Sequence, residues 1–263
     1  VVDGVVYFGG GKSLYAVGAS NGEILWNRSF EFDGIGGMHV DPIVTDGTVV
    51  TEGVGEIVAL DAETGSMLWR FDGPGRAPIQ PTVADGTVIF QETDRLYRLD
   101  LEDGSVLWNV SVPRRIVKSP IVVDDVIYTG AYALHLENGS MIWSSDAAPT
   151  YAAHSSKAQP TYADGTLYFG GTDVVYALDA ATGERRWKKE IPRSWEVRET
   201  NAVSEYEDLG HRKMIRFSGA TRDRQRTVLA GNIGVAIPTV ADDTVFAGYQ
   251  NPGLIALDTE TGE

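Results

Sequence analysis

Short apolar alternations run the length of this chain, each bounded by Gly, Asp or Pro. Val5 to Gly9 reads VVYFG, Thr87 to Phe90 TVIF, Thr166 to Gly170 TLYFG and Thr244 to Ala247 TVFA. Such β-branched and aromatic runs, four or five residues long and flanked by turn residues, predict strands. A second run follows each: Leu14 to Val17, Ile57 to Leu60, Leu96 to Leu99, Val175 to Leu178 and Leu254 to Leu257. A turn rich in Thr-Gly, Asp-Gly or Asn-Gly then leads to a strand holding a Trp. A further strand is expected to start near Pro42, Pro81, Pro120, Pro160 and Pro238. The pattern is four strands per repeat.

The punctuation has a period. Trp26, Trp69, Trp108, Trp143 and Trp187 are spaced by 43, 39, 35 and 44 residues, within the range of propeller blades. Each follows a Gly by four positions: Gly22, Gly65, Gly104, Gly139 and Gly183. A sixth copy reaches Gly262, one residue before the chain stops at Glu263. Eighteen residues ahead of the later Gly stand Asp3-Gly4, Asp46-Gly47, Asp85-Gly86 and Asp164-Gly165, with Asp124-Asp125 and Asp242-Asp243 in the same place in the other copies. Asp-Gly between alternating apolar runs signals a hairpin, because a type I′ turn needs positive φ. A four-stranded blade cannot bury both faces alone, and radial stacking of blades solves that. A Trp on the outer strand, burying about 150–250 Å², is large enough to fill the space between two blades. The fold class is therefore all-β, a β-propeller of four-stranded antiparallel blades. About six are recognisable, as part of a ring of seven or eight.

These residues resemble the PQQ-type propeller repeat, with its docking pattern A-x-D-x-x-T-G-x-x-x-W. The second copy matches throughout (Ala59, Asp61, Thr64, Gly65, Trp69), as does the fifth (Ala177, Asp179, Thr182, Gly183, Trp187). The last matches as far as it runs (Ala256, Asp258, Thr261, Gly262). The first has Gly18 and Asn21 for the Asp and Thr, the third Arg98 and Asp103 for the Ala and Thr, and the fourth His135 and Asn138 for the Asp and Thr. The family holds quinoprotein alcohol dehydrogenases and BamB-like assembly proteins that share the propeller without the cofactor. The resemblance implies an extracytoplasmic location. Val1 falls inside a repeat, so sequence is expected ahead of it and targeting cannot be read.

One stretch breaks the pattern. Residues 188–237 contain no Thr-Gly-x-x-x-Trp and carry Arg212, Lys213, Arg216, Arg222, Arg224 and Arg226. They are either an insertion between blades or a decayed blade, and a contact site for an acidic partner, such as a second copy, is one use for them. Otherwise the chain is read as a single propeller domain over 1–263.

Charge and composition narrow the function. With 37 acidic against 22 basic residues the formal net charge is −15, so a nucleic-acid partner is not expected. Six Lys against 16 Arg, and 21 Asp against 16 Glu, is also the balance of salt-adapted proteins. There is no Cys, which excludes disulfides and thiol chemistry. No apolar run approaches the roughly 20 residues of a membrane helix. His39, His135, His154 and His211 lack metal-site spacing, so no metal is expected. Nothing marks a catalytic residue. The recurring Asp61, Asp100, Asp179 and Asp258 are expected to bond their own turn backbones.

In a propeller the chain crosses from one blade's outer strand to the next blade's inner strand near the mouth of the central channel. Those linkers hold His39, Asp41, Arg76, Gln80, Lys118, His154, Lys157 and Gln159. Two of the six Lys fall there, and a cationic mouth would focus the field on an anionic ligand. The leading reading is a non-catalytic binding or assembly scaffold with another protein as partner and no cofactor. One alternative is a fragment of a PQQ-dependent alcohol dehydrogenase, which would need PQQ with Ca²⁺ and, by resemblance, a Cys pair this chain lacks. Another is the extracytoplasmic sensor domain of a membrane-anchored protein or kinase.

Overall fold

The alternating runs pair as antiparallel meanders in a computed structural model of the chain. It describes residues 1–10, 12–30, 42–53, 56–73, 80–92, 94–112, 119–130, 132–145, 160–171, 174–191, 202–208, 213–219, 237–249 and 253–263, with backbone only at 202–208, 213–219, 249 and 253. The first blade is β1 (Val5–Gly10), β2 (Ser13–Gly18) and β3 (Ile24–Ser29). The second is β4 (Ile43–Thr45), β5 (Thr48–Glu52), β6 (Glu56–Asp61) and β7 (Met67–Asp72). The third is β8 (Thr82–Ala84), β9 (Thr87–Glu92), β10 (Arg95–Asp100) and β11 (Val106–Ser111). The fourth is β12 (Ile121–Val123), β13 (Val126–Thr129), β14 (Tyr132–His135) and β15 (Met141–Ser144). The fifth is β16 (Thr161–Ala163), β17 (Thr166–Gly170), β18 (Val174–Asp179) and β19 (Arg185–Glu190). A separate pair, β20 (Ala202–Asp208) and β21 (Lys213–Gly219), precedes the last blade, β22 (Thr239–Ala241), β23 (Thr244–Tyr249) and β24 (Gly253–Asp258).

Blades two to five have all four strands, each hydrogen-bonded to the next in sequence. The first and last sheets have three described strands. The first strands face the middle: β8 neighbours both β4 and β12, and β16 neighbours β22. Thr82 Oγ1 donates to Pro120 O and Thr161 Oγ1 to Pro238 O, tying first strands of successive blades.

The hairpins follow from local chemistry. Asp46 and Gly47 have φ of 46° and 73°, the double positive-φ step of a type I′ turn, and the other Asp-Gly steps match. Asp124-Asp125 adopts the same step (47° and 63°) without a glycine, which Asp tolerates better than most residues. The later turn is closed by its Asp: Asp61 Oδ1 accepts from Thr64 N and Thr64 Oγ1, each at 2.7 Å. Asp179 and Asp258 do the same with Thr182 and Thr261.

Each outer strand carries a β-bulge just before its Trp. In the first blade Ala16 pairs with Trp26 and Val17 with Ile24, leaving Leu25 as the extra residue. Leu68, Leu107, Ile142 and Arg186 occupy that place in the next four blades. A bulge interrupts the hydrogen-bonding edge and so discourages pairing with another chain.

The seams between blades hold the core. In the second-to-third seam Val50, Ile57 and Ala59 meet Val88, Phe90 and Leu99, with Phe90 stacked on Tyr97 at 5.2 Å. Each Trp closes its seam by bonding into the following blade. Trp26 Nε1 donates to Ala62 O, Trp69 to Leu101 O, Trp108 to Leu136 O and Trp143 to Ala180 O, at 2.8–3.0 Å. The indole lies against the glycine that opens the next outer strand: Trp26 on Gly65, Trp69 on Gly104, Trp108 on Gly139 and Trp143 on Gly183.

Two departures from the repeat are absorbed here. Tyr7 OH and Tyr168 OH give the docking carbonyls Ala62 O and Thr259 O a second donor. The third blade has Ile89 at that position, and Arg98, standing where the repeat has Ala, supplies Nη1 to Leu136 O at 2.9 Å instead.

Trp187 follows the same rule across a longer stretch of chain. Its Nε1 donates to Thr259 O at 2.9 Å, and Gly262 lies against its ring. Val175, Ala177 and Ile191 pack with Val245, Ala247 and Leu257. The fifth and last blades are thus docked directly, while β20 and β21 pair with each other and with no other described strand.

Candidate functional site

The last residues of each blade's second and fourth strands and the first residues of its first and third strands share one face of the sheets, because successive strands run antiparallel. Of the expected channel-mouth residues, His39, Asp41, Arg76, Lys118, His154, Lys157 and Gln159 lie outside the described residues. Gln80 is described: it is half-buried and precedes Pro81 at the entry to β8.

On that face the described residues hold polar groups that the channel-mouth set does not include. Six residues after the Asp of the first hairpin turn most copies have glycine, at Gly9, Gly130, Gly170 and Gly248. The second and third blades place Glu52 and Gln91 there, and Glu92 follows Gln91. Aligning the six strands on their Asp-Gly turns would have exposed this, since two adjacent copies replace glycine with long polar side chains.

Strand alternation fixes where these groups point. Glu52 is on the face of β5 that carries Val50, and Val50 packs against the third blade. Glu92 is on the face of β9 that carries Phe90, which packs back against the second blade. Glu92 is 1% exposed and reaches across the seam: a Cβ on Gly73 would sit 2.2 Å from its Oε2. Glycine at 73 is what lets the carboxylate lie there. Gln91, on the opposite face, points into the third-to-fourth seam with Ile89, where Thr129 is fully buried on the Ile127 face of β13.

Burial shapes the electrostatics. The Glu52 Oε2 is buried with no hydrogen-bond partner among the described residues. Loss of hydration pushes its carboxyl up to about 7. The Tyr97 hydroxyl is raised by burial, with the Glu92 charge adding to it. The turn carboxylates move the other way. Hydrogen bonds from Thr64 hold Asp61 below the usual range, and Arg186 with Thr182 does so for Asp179. Among the described residues no three His, Cys, Asp or Glu side chains cluster to hold a metal ion. No helix among them is long and apolar enough to cross a membrane.

With this geometry in hand the relatives are informative. Two overlapping segments, 10–131 and 55–263, match the family described as outer membrane protein assembly factor BamB. The chain belongs to this family. No curated protein matches it in sequence. Among solved structures, BamB from Moraxella catarrhalis superposes with a TM-score of 0.61 at 20% identity, over 96% of this chain and 78% of that one. A quinohemoprotein alcohol dehydrogenase from Pseudomonas putida HK5 gives 0.62 at 16% identity, covering all of this chain and 64% of that one. A europium-containing methanol dehydrogenase gives 0.58 at 13%, with 66% of that chain spanned. The chain thus covers under two thirds of these dehydrogenases. At such identities the likeness establishes the propeller fold, which proteins of different function share.

Proposed function

We propose that this BamB-family propeller is a binding scaffold whose partner-contact element is the segment between its fifth and last blades. The observation behind this reading is the Trp187 bond to Thr259 O. Two blades that dock directly leave no place between them for another, so we read the stretch from 192 to 236 as an insertion on the ring rather than a decayed blade. An elaboration on a rigid scaffold is where recognition residues concentrate. The segment carries eight of the 22 basic residues in a chain of net charge −15, which suits an acidic protein partner. The family description, an assembly factor at the outer membrane, supports a partner protein and a location outside the cytoplasm.

The test compares the chain with a variant whose residues 192–236 are replaced by a short Gly-Ser linker. An unchanged melting temperature with loss of a bound protein supports the reading. A collapse of the fold means the segment belongs to the ring, and equal binding by both chains overturns its role. A second reading is a fragment of a PQQ-dependent dehydrogenase, in which cationic groups would meet the carboxylates of PQQ. Arg76, Lys118 and Lys157 are the candidates and lie outside the described residues, so no chemical step is assigned to that cofactor. Titration with PQQ and Ca²⁺, followed by absorbance and melting temperature, decides it: a saturable shift supports the dehydrogenase reading over the scaffold.

A further inference from the structure

We propose that the seam between the second and third blades is a proton-operated latch, closed when Glu52 carries a proton and loosened at its linker-facing end when Glu52 is ionised. Three observations lead there. At the position of Glu52 four of the six copies have glycine, so the repeat does not need a carboxyl to fold. Glu52 points into a seam of Val50, Ile57, Val88 and Phe90, and its buried Oε2 meets no donor among the described residues. The third blade sends a second carboxyl, Glu92, into the same seam, against Gly73 of the second blade. A carboxylate without a donor in an apolar seam is costly.

Among the described residues the surrounding groups do not offset the Glu52 charge. From the third blade the seam meets Glu92 on β9 and Tyr97 on β10, with Asp94 and Arg95 at the turn between them. The Arg95 guanidinium is exposed and donates to Asn109 Oδ1. From the second blade Ile57 and Phe71 are apolar, while Glu56 pairs with Arg70 on the opposite face of the sheet. Ionisation near neutral pH, the direction set by burial of Glu52, therefore acts on the seam that Trp69 closes.

Glu52 keeps its proton in the folded chain to higher pH than in the unfolded one. Its stabilising contribution is complete below about pH 4.3, the ordinary Glu value. It is lost as pH rises towards 7.

Hydrogen exchange on the full chain, corrected for intrinsic rates, tests the latch. Between pH 5.5 and 8 the amides of β5, β7 and β9 should lose protection by about tenfold or more, while β17 and β18 change little. Glu52→Gln should abolish that local loss. Glu52→Gly, which installs the residue most other blades carry, should abolish it too and provides the check if the amide folds poorly. A carboxyl ¹³C titration should place the Glu52 midpoint well above that of the exposed Glu residues. A normal midpoint, an equal loss of protection in every seam, or an unchanged response in both variants would overturn the proposal.

Discussion

Two glycines of the fifth blade separate backbone strain from interblade docking. Gly165 and Gly183 have nearly the same φ, +71° and +72°, and both end a tight turn. A Cβ on Gly165 meets nothing within 4 Å, whereas one on Gly183 lies 2.5 Å from Trp143 Cε3. Gly165→Ala should therefore cost only the penalty of a left-handed alanine, about 1–2 kcal/mol. Gly183→Ala carries the same penalty and also pushes the indole off its seat. That loses the Nε1 bond to Ala180 O, worth about 1 kcal/mol, and leaves a buried carbonyl short of a donor, a further 1–3 kcal/mol or so. The difference between the two variants should be about 2–4 kcal/mol. At roughly 2–4 °C per kcal/mol for a chain of this size, the second variant should melt some 4–16 °C below the first. Thermal melting by circular dichroism gives the comparison, and Trp emission should shift red in Gly183→Ala alone. Equal losses would refute the claim that the glycine exists to seat the tryptophan.

Other consequences follow from the same contacts. Trp187→Phe keeps most of the ring but removes the donor to Thr259 O, and should lower the melting temperature by a few degrees in denaturation curves. Arg98→Ala restores the usual repeat residue yet should destabilise, because the docking carbonyl Leu136 O loses one of its two donors; urea unfolding reads this. Asp61, Asp103, Asp179 and Asp258 are held below the usual carboxylate range by hydrogen bonds, so their contribution is present above about pH 4 and is lost as pH falls below it. An acid titration followed by ellipticity should place the transition there, and Asp179→Asn should flatten part of it. With a net charge of −15, raising NaCl from low to molar concentration should raise the melting temperature by screening self-repulsion.

How much was legible in advance depended on the range of the interaction. Strands, hairpins and turns are local: alternation of period two, Asp-Gly steps and the Asp-x-x-Thr-Gly turn act over a few residues, so the linear sequence determined them. The Trp period determined that blades stack, since only a neighbouring blade can cover an indole on an outer strand. Sequence did not determine which blade Trp187 meets. Nothing local distinguishes a decayed blade from an excursion between two blades, and only the tertiary bond to Thr259 O picks the docking partner. Glu52 and Glu92 are 40 residues apart, and no periodicity marks them as entering one seam. Their shared seam comes from two strands of different blades presenting opposed faces to it. Burial there moves Glu52 towards neutrality, because hydration is lost only when the blades close. The repeat was thus written in the sequence, while the exceptions to it gained their meaning from the packing of blades.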